Sequence, residues 1–344
     1  MDKKIGMLCV EGQGARFATG QAVKGRTLRK WFCGAYGEDQ VLFGNIDSAK
    51  KHPIRVLNNM LRVLRHCKNI VFMPGQNIEV FAPALHIMNR LFRRKVLYIV
   101  TGGDLAEVIK RRPSLGKTIA HFDGTFVQSV KLRDELRGMG IPRAEYLPNC
   151  RDYVADVPFD HYGQQPLRLC TYSRVTKEKG ILDAIEICKK ANALIGKQAF
   201  VLEVYGKMYD AFEPEFQKAL EENRDLVTYG GVKEASETWN TLHSCFAILF
   251  PTYFECECFA GTALDAFSVR IPIIANDWLY NSEVIQSGKN GFIYSFRDND
   301  MAAEQLKRLY EDRALYAAIQ QGCEESMRRF STDSVMGEFA KNFS

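Results

Sequence analysis

Short apolar, β-prone runs alternate with helical patterns along almost the whole chain, and few architectures can use that alternation. Parallel neighbours need a crossover connection between them, and a helix is the usual one, so the pattern reads as repeated βαβ units building parallel sheets. Six strand-like runs occupy the first half, at 5–10, 41–44, 70–73, 96–100, 125–128 and 145–147. Helical periodicity fills the gaps, as at 54–66 and 79–92. A second series follows at 167–172, 199–204, 226–229, 245–250, 272–275 and 291–294. Between the series, 151–166 holds two prolines, a glycine and mixed polar residues without a sustained period, and reads as a linker. The expected fold class is therefore α/β, with two Rossmann-like, doubly wound domains at 1–150 and 167–330. A last helix over about 331–344 is expected to pack back on the first domain. At 344 residues each domain can bury its own core. No fixed-period repeat supports a solenoid or propeller.

Charge divides along the same line. Residues 1–150 carry 25 Lys and Arg against 12 Asp and Glu, and the remainder 21 against 29. A cationic half points to an anionic partner such as nucleic acid, a membrane surface or a phosphorylated substrate, or else to a basic face that simply meets water. Composition, 46% hydrophobic and 25% charged, excludes disorder. No apolar stretch approaches the roughly 20 residues of a membrane span. Lys3 and Lys4 precede only a short strand-like run, which does not read as a signal peptide. The ten cysteines are scattered, without CxxC or zinc-type spacing, and imply a reducing compartment, the cytoplasm. None of the six histidines (His52, His66, His86, His121, His161, His243) has ligand spacing, and no metal is expected.

Two stretches carry chemistry. In Thr171-Tyr-Ser-Arg174-Val-Thr-Lys-Glu-Lys179-Gly180 a strand end and a helix start place Arg174 and Lys179 close together. A guanidinium grips two phosphate oxygens and an ammonium adds a point charge, although the segment alone also reads as a solvated basic turn. In Phe250-Pro-Thr-Tyr-Phe-Glu255-Cys-Glu257-Cys-Phe-Ala260-Gly261-Thr-Ala-Leu-Asp265 a buried strand runs through an acidic loop into a helix. Small residues Ala260, Gly261 and Thr262 let an anion approach the free N–H groups of that helix start. Asp265, one turn further in, can accept hydrogen bonds from sugar hydroxyls. Offsetting of the helix dipole explains Glu257 adequately but Asp265 less well.

These residues resemble family 4 glycosyltransferases, which have the GT-B fold with two domains facing a central cleft. Glu257-x7-Asp265, followed by Ile271-Pro272-Ile273-Ile274-Ala275, resembles the family's E-x7-E signature, and Arg174 to Lys179-Gly180 its GR-x4-KG segment. Val204-Tyr-Gly206, the glycines Gly230 and Gly231, and Asn290-Gly-Phe292 fall where such enzymes have corresponding segments. In the first domain Gly12-Gln-Gly14, Gly20-Gln-Ala-Val-Lys24, Gly102-Gly-Asp104-Leu and Leu147-Pro-Asn149 look like segments of capsule, exopolysaccharide and O-antigen transferases. The chain departs from the pattern in having Asp at 265, Tyr172-Ser173 before Arg174, and Thr101-Gly-Gly-Asp104 where some relatives have a histidine.

The resemblance implies a retaining, metal-independent transfer of a hexose-type sugar from a nucleotide donor, a UDP-sugar, to a saccharide or polyprenyl-diphosphate-linked saccharide acceptor. It implies that Arg174 and Lys179 hold the donor diphosphate, that Glu257 lies beside the donor sugar, and that Asp265 holds the ribose. Ala260, Gly261 and Thr262 would add backbone donors, with Gly206 and Gly231 nearby. Gly12, Gly14 and Asp104 would lie on the acceptor side. No cofactor beyond the donor is implied. A GT-B sugar-nucleotide 2-epimerase and a non-catalytic nucleotide-sugar-binding protein are the competing readings. An incomplete GxGxxG at Gly12 and Gly14 argues against an oxidoreductase, and no motif supports nucleic acid.

Two further features are read with that family in view. Asp298-Asn-Asp300 precedes a helical pattern, and an N-cap explains it without a metal. Ile54, Leu57, Leu61 and Leu64 recur at helical spacing among Arg55, Arg62, Arg65 and Lys68, and 88–95 repeats the mixture with Arg90, Arg93, Arg94 and Lys95. Such helices either pack their apolar residues on the sheet or lie on an anionic bilayer. The resemblance favours the membrane, at its cytoplasmic face.

Overall fold

Among the described residues twelve strands form two sheets, in which every pairing is parallel. The computed structural model describes residues 3–10, 20–47, 51–153, 162 and 165–343. The first sheet comprises β1 (Lys3–Cys9), β2 (Val41–Asn45), β3 (Cys67–Met73), β4 (Lys95–Ile99), β5 (Gly124–Val127) and β6 (Ala144–Tyr146) in the order β2-β1-β3-β4-β5-β6. The second comprises β7 (Leu167–Tyr172), β8 (Phe200–Tyr205), β9 (Val227–Gly231), β10 (Ala247–Phe250), β11 (Ile273–Asn276) and β12 (Gly291–Tyr294) in the order β12-β11-β10-β7-β8-β9. Each expected strand is present. β3 starts three residues earlier than its apolar run, because Cys67 pairs with Lys3 and the Asn69 side chain donates to the Lys4 carbonyl at 3.0 Å. In the second sheet the winding reverses between β7 and β10, and ligands of doubly wound sheets bind beyond the carboxyl ends of the strands at such a switch point.

The chain divides into two compact units, Met1–Cys150 with Thr332–Ser344, and Arg151–Ser331. In the first, Ile5, Met7, Val71, Leu97 and Phe126 form a core joined by Phe339 of the helix Thr332–Ala340, whose ring meets Phe126 edge-on at 4.8 Å. In the second, strands such as Ala247–Phe250 are buried throughout, as parallel strands covered on both faces must be. The described part of the segment read as a linker belongs to this unit. Tyr162 donates to the Leu309 carbonyl at 2.8 Å and packs against Tyr316, and Arg151 N donates to the Phe330 carbonyl at 3.3 Å.

The helix Pro53–His66 divides the apolar set Ile54, Leu57, Leu61 and Leu64 between sheet and surface. It buries Val56, Met60, Val63 and Leu64 against the sheet and leaves Ile54 (74% exposed), Leu57 and Leu61 outside. Of the four residues at that spacing, only Leu64 meets the sheet, where it joins Val56, Met60 and Val63. On the helix Ile78–Phe92, Val80, Ile87 and Leu91 (81%) are likewise exposed. Arg94 and Lys95 serve the fold rather than the surface: Arg94 donates to the carbonyls of Leu64 and Arg65, and Lys95 to that of Asn342. Among the described residues no helix is long and apolar enough to cross a membrane.

Candidate active site

The loops after β7 and β10 meet at the switch point. Past Tyr172 the chain runs through Arg174 into a short 3-10 turn, Lys177–Lys179, and then the helix Ile181–Ile195. Between turn and helix stands Gly180, at φ 67°, where a Cβ would lie 2.1 Å from the Pro251 carbonyl oxygen. Only glycine allows both that backbone region and that approach. The β10 loop is then tied to the turn: Tyr253 N donates to the Glu178 carbonyl at 2.7 Å and the Thr252 hydroxyl to the same carbonyl at 3.3 Å.

This junction brings three of the expected residues together. The Lys179 ammonium forms an ion pair with the Glu257 carboxylate, and the Thr252 hydroxyl shares its one proton between the Glu178 carbonyl and the same carboxylate oxygen, 3.2 Å away. Lys179 is 7% exposed and Glu257 9%. A pair this buried is held against a desolvation cost, so removing either partner strands a charge. Beside it lies the Phe254 ring, with the Arg174 guanidinium 4.7 Å and the Lys179 ammonium 4.9 Å from its centroid. Phe254 is held in turn by Trp278, whose indole N–H donates to its carbonyl at 3.0 Å. Arg174 itself is exposed.

The helix Gly261–Ser268 opens next to this cluster. Its N-cap Ala260 has no side chain to bond the first amides. The Thr262 hydroxyl is spent on the fold, donating to the Tyr172 carbonyl at 2.8 Å and so tying the helix to the end of β7. Asp265 Oδ1 accepts from Arg151 Nε at 3.1 Å. Burial pushes the Asp265 carboxyl above its ordinary range, and the guanidinium opposes that shift. At the ends of β8 and β9, Gly206 N donates to the Gly231 carbonyl at 2.9 Å, and the Tyr229 hydroxyl donates to the Gly206 carbonyl at 2.8 Å.

The family of glycosyl transferases group 1 matches residues 161–325, nearly all of this second unit. A crystal structure of Anabaena Alr3699/HepE in complex with UDP is similar over 98% of both chains, at 14% identity and a TM-score of 0.76. Sucrose-phosphate synthase (tll1590) from Thermosynechococcus elongatus is similar over 98% of both chains, at 14% identity and a TM-score of 0.74. The apo form of the lipopolysaccharide outer core galactosyltransferase WaaB is similar over the same shares, at 14% and 0.70. No curated protein sequence matches the chain. The chain has the GT-B fold, and its second unit matches the glycosyl transferases group 1.

In the first unit, Asp104 follows β4 as the N-cap of the helix Leu105–Arg111, and its side chain does not cap that helix. Gly12 and Gly14 lie outside the described residues. The Asp298 carboxylate caps the helix Asn299–Glu311 through Met301 N at 2.9 Å, and Asp300 pairs with Lys190. Among the described residues no three His, Cys, Asp or Glu side chains cluster to hold a metal ion. Sequence reasoning missed the parts played by Thr252, Phe254 and Arg151. Phe254 stands inside the acidic loop with no periodicity to mark it, and Arg151 lies 114 positions from the carboxylate it meets.

Proposed function

We propose that this glycosyltransferase moves a hexose-type sugar from a UDP-sugar to a saccharide carried on a polyprenyl diphosphate, with retention and without a metal ion, at the cytoplasmic face of a membrane during surface polysaccharide synthesis. The observation that carries the reading is the meeting of Arg174, Lys179 and Glu257 around Phe254 at the switch point. Departure of the diphosphate leaves negative charge where Arg174 and Lys179 already stand, and fixed cations in a partly dehydrated site stabilise it without reorganising. The backbone N–H groups over Ala260, Gly261 and Thr262 add donors to the same phosphates. Asp265 takes the ribose hydroxyls, and the backbone at Gly206 and Gly231 faces the base. The UDP bound to the similar HepE supports that choice of base.

Glu257 lies beside the sugar and keeps Lys179 in place. The sugar passes through an oxocarbenium-like state, with departure and attack on one face. Gly12, Gly14 and Asp104 serve the acceptor side. The membrane part of the reading is supported by Ile54, Leu57, Leu61, Val80, Ile87 and Leu91, which stand exposed among Arg55, Arg62, Arg65, Arg90 and Arg93. Apolar side chains ringed by arginines suit an anionic lipid surface.

Thermal shift against a panel of nucleotide sugars, followed by product analysis, tests the proposal. A UDP-sugar should raise Tm and, with a polyprenyl-diphosphate saccharide, yield a product of retained configuration; Arg174→Ala should abolish both at unchanged Tm. An epimerised donor formed without acceptor overturns the transfer. A sugar trapped on Glu257 replaces single-face attack by double displacement.

A further inference from the structure

Asp265 is held from outside its own helix. Arg151 Nε donates to Oδ1 at 3.1 Å, and the two side chains are only 20% and 16% exposed. The same guanidinium lies on the first turn of the helix Gly261–Ser268. A Cβ at Gly261 would stand 2.3 Å from Arg151 Nη2, so a glycine opens the helix where the guanidinium rests. Arg151 is itself fixed at its backbone, where its N–H bonds the Phe330 carbonyl and the residue forms a parallel bridge with Ser331. Both ends of the arginine are therefore anchored, one on the chain crossing at 330–331 and one on the carboxylate.

An aspartate lacks the methylene that would let a glutamate reach further, so the plane and position of its carboxylate matter more. A bond from an anchored guanidinium to Oδ1 removes rotation of that carboxylate. Burial favours its neutral form, which accepts hydrogen bonds more weakly, and the adjacent positive charge counters this.

We propose that Arg151 is a positioning residue for donor recognition: it fixes the Asp265 carboxylate to receive the ribose hydroxyls, so preference for a ribonucleotide depends on Arg151 as much as on Asp265. This rests on the assignment of the ribose to Asp265.

The test compares UDP with 2′-deoxy-UDP by calorimetric titration of the full chain. Wild type should prefer UDP by roughly tenfold to a hundredfold, the range for hydrogen bonds to a charged group. Arg151→Met should bring that ratio close to one, with the affinity for 2′-deoxy-UDP changed less than about threefold. Arg151→Lys, which keeps the charge and loses the Nε contact, should fall between. If Arg151→Met weakens both ligands equally and keeps the preference, the arginine acts on the phosphates and the proposal is overturned, while the ribose assignment stands. Absence of any preference in wild type removes the ribose assignment and the proposal with it. Should Arg151→Met not fold, a wild-type ratio in Arg151→Lys is enough to overturn it.

Discussion

The two units handle charge in opposite ways. The half up to residue 150 is strongly basic, and on its helices Pro53–His66 and Ile78–Phe92 arginines stand in water beside exposed Ile54, Ile87 and Leu91. The remainder is acidic in sum, yet it withdraws Lys179 and Glu257 from solvent as a pair and sets a second cation, Arg174, over a shared ring. Net charge reports what a surface faces. The few charges a fold removes from water interact strongly, and their partners are obligatory.

The harshest way to break that contrast is to unpair the buried charge. Lys179→Ala leaves the buried Glu257 without its counter-charge, with the Thr252 hydroxyl still beside it, a loss of about 3–5 kcal/mol. For a unit of this size that lowers Tm by roughly 6–20 °C. Turnover should fall by about 10²–10³, as when a preorganised charge is removed from a developing anion. The double variant Lys179→Met with Glu257→Gln should regain most of the stability and none of the turnover. Arg55→Ala on the first unit should shift stability by no more than about 0.5 kcal/mol. Equal melting of the Lys179 and Arg55 variants would mean the pair is not structural.

Gly180→Ala comes next. It forces a left-handed backbone on alanine and drives a methyl into the Pro251 carbonyl, together costing about 2–4 kcal/mol. Because Gly180 joins the β7 and β10 loops, Tm and donor affinity should fall together. A variant that loses Tm but binds the donor as tightly as wild type would show that the two loops need not touch.

The strands were legible because parallel strands buried on both faces read as unbroken apolar runs, and the switch-point residues because their spacing survives in one stretch of chain. What escaped was of another kind. Ile54, Leu57 and Leu61 are as periodic as Val56, Met60 and Val63, and periodicity alone does not say which stripe meets the sheet. Phe254 shows its part only when the loops fold over one another, and Arg151 only when residues 114 apart come together. Contacts made across a fold leave no spacing to read.

A milder test concerns the outer stripe. Leu91→Asp removes an apolar side chain whose insertion in lipid is worth about 1.5–3 kcal/mol. Each arginine beside it adds about 1 kcal/mol at an anionic surface. Flotation with phosphatidylglycerol vesicles should show binding weakened by at least about tenfold and up to about a hundredfold, while turnover on a short soluble acceptor stays unchanged. Equal binding of wild type to neutral and anionic vesicles would remove the electrostatic half of the reading.

The smallest effect isolates one kind of contact in two settings. Phe254→Leu keeps an apolar side chain below Arg174 and Lys179 but removes the ring face, a change of about 0.5–1 kcal/mol. The first unit makes the same contact at Tyr36, with the Lys4 ammonium 4.4 Å from its centroid, and at Phe43, with the Arg29 guanidinium at 4.9 Å. If the ring orients cations that meet the diphosphate, Phe254→Leu weakens donor binding about twofold to fivefold, whereas Phe43→Leu shifts only Tm. Identical interactions then differ in consequence because only one of the rings sits beneath charges that the substrate must touch. Donor affinities lowered alike by both substitutions would reduce the Phe254 cluster to packing.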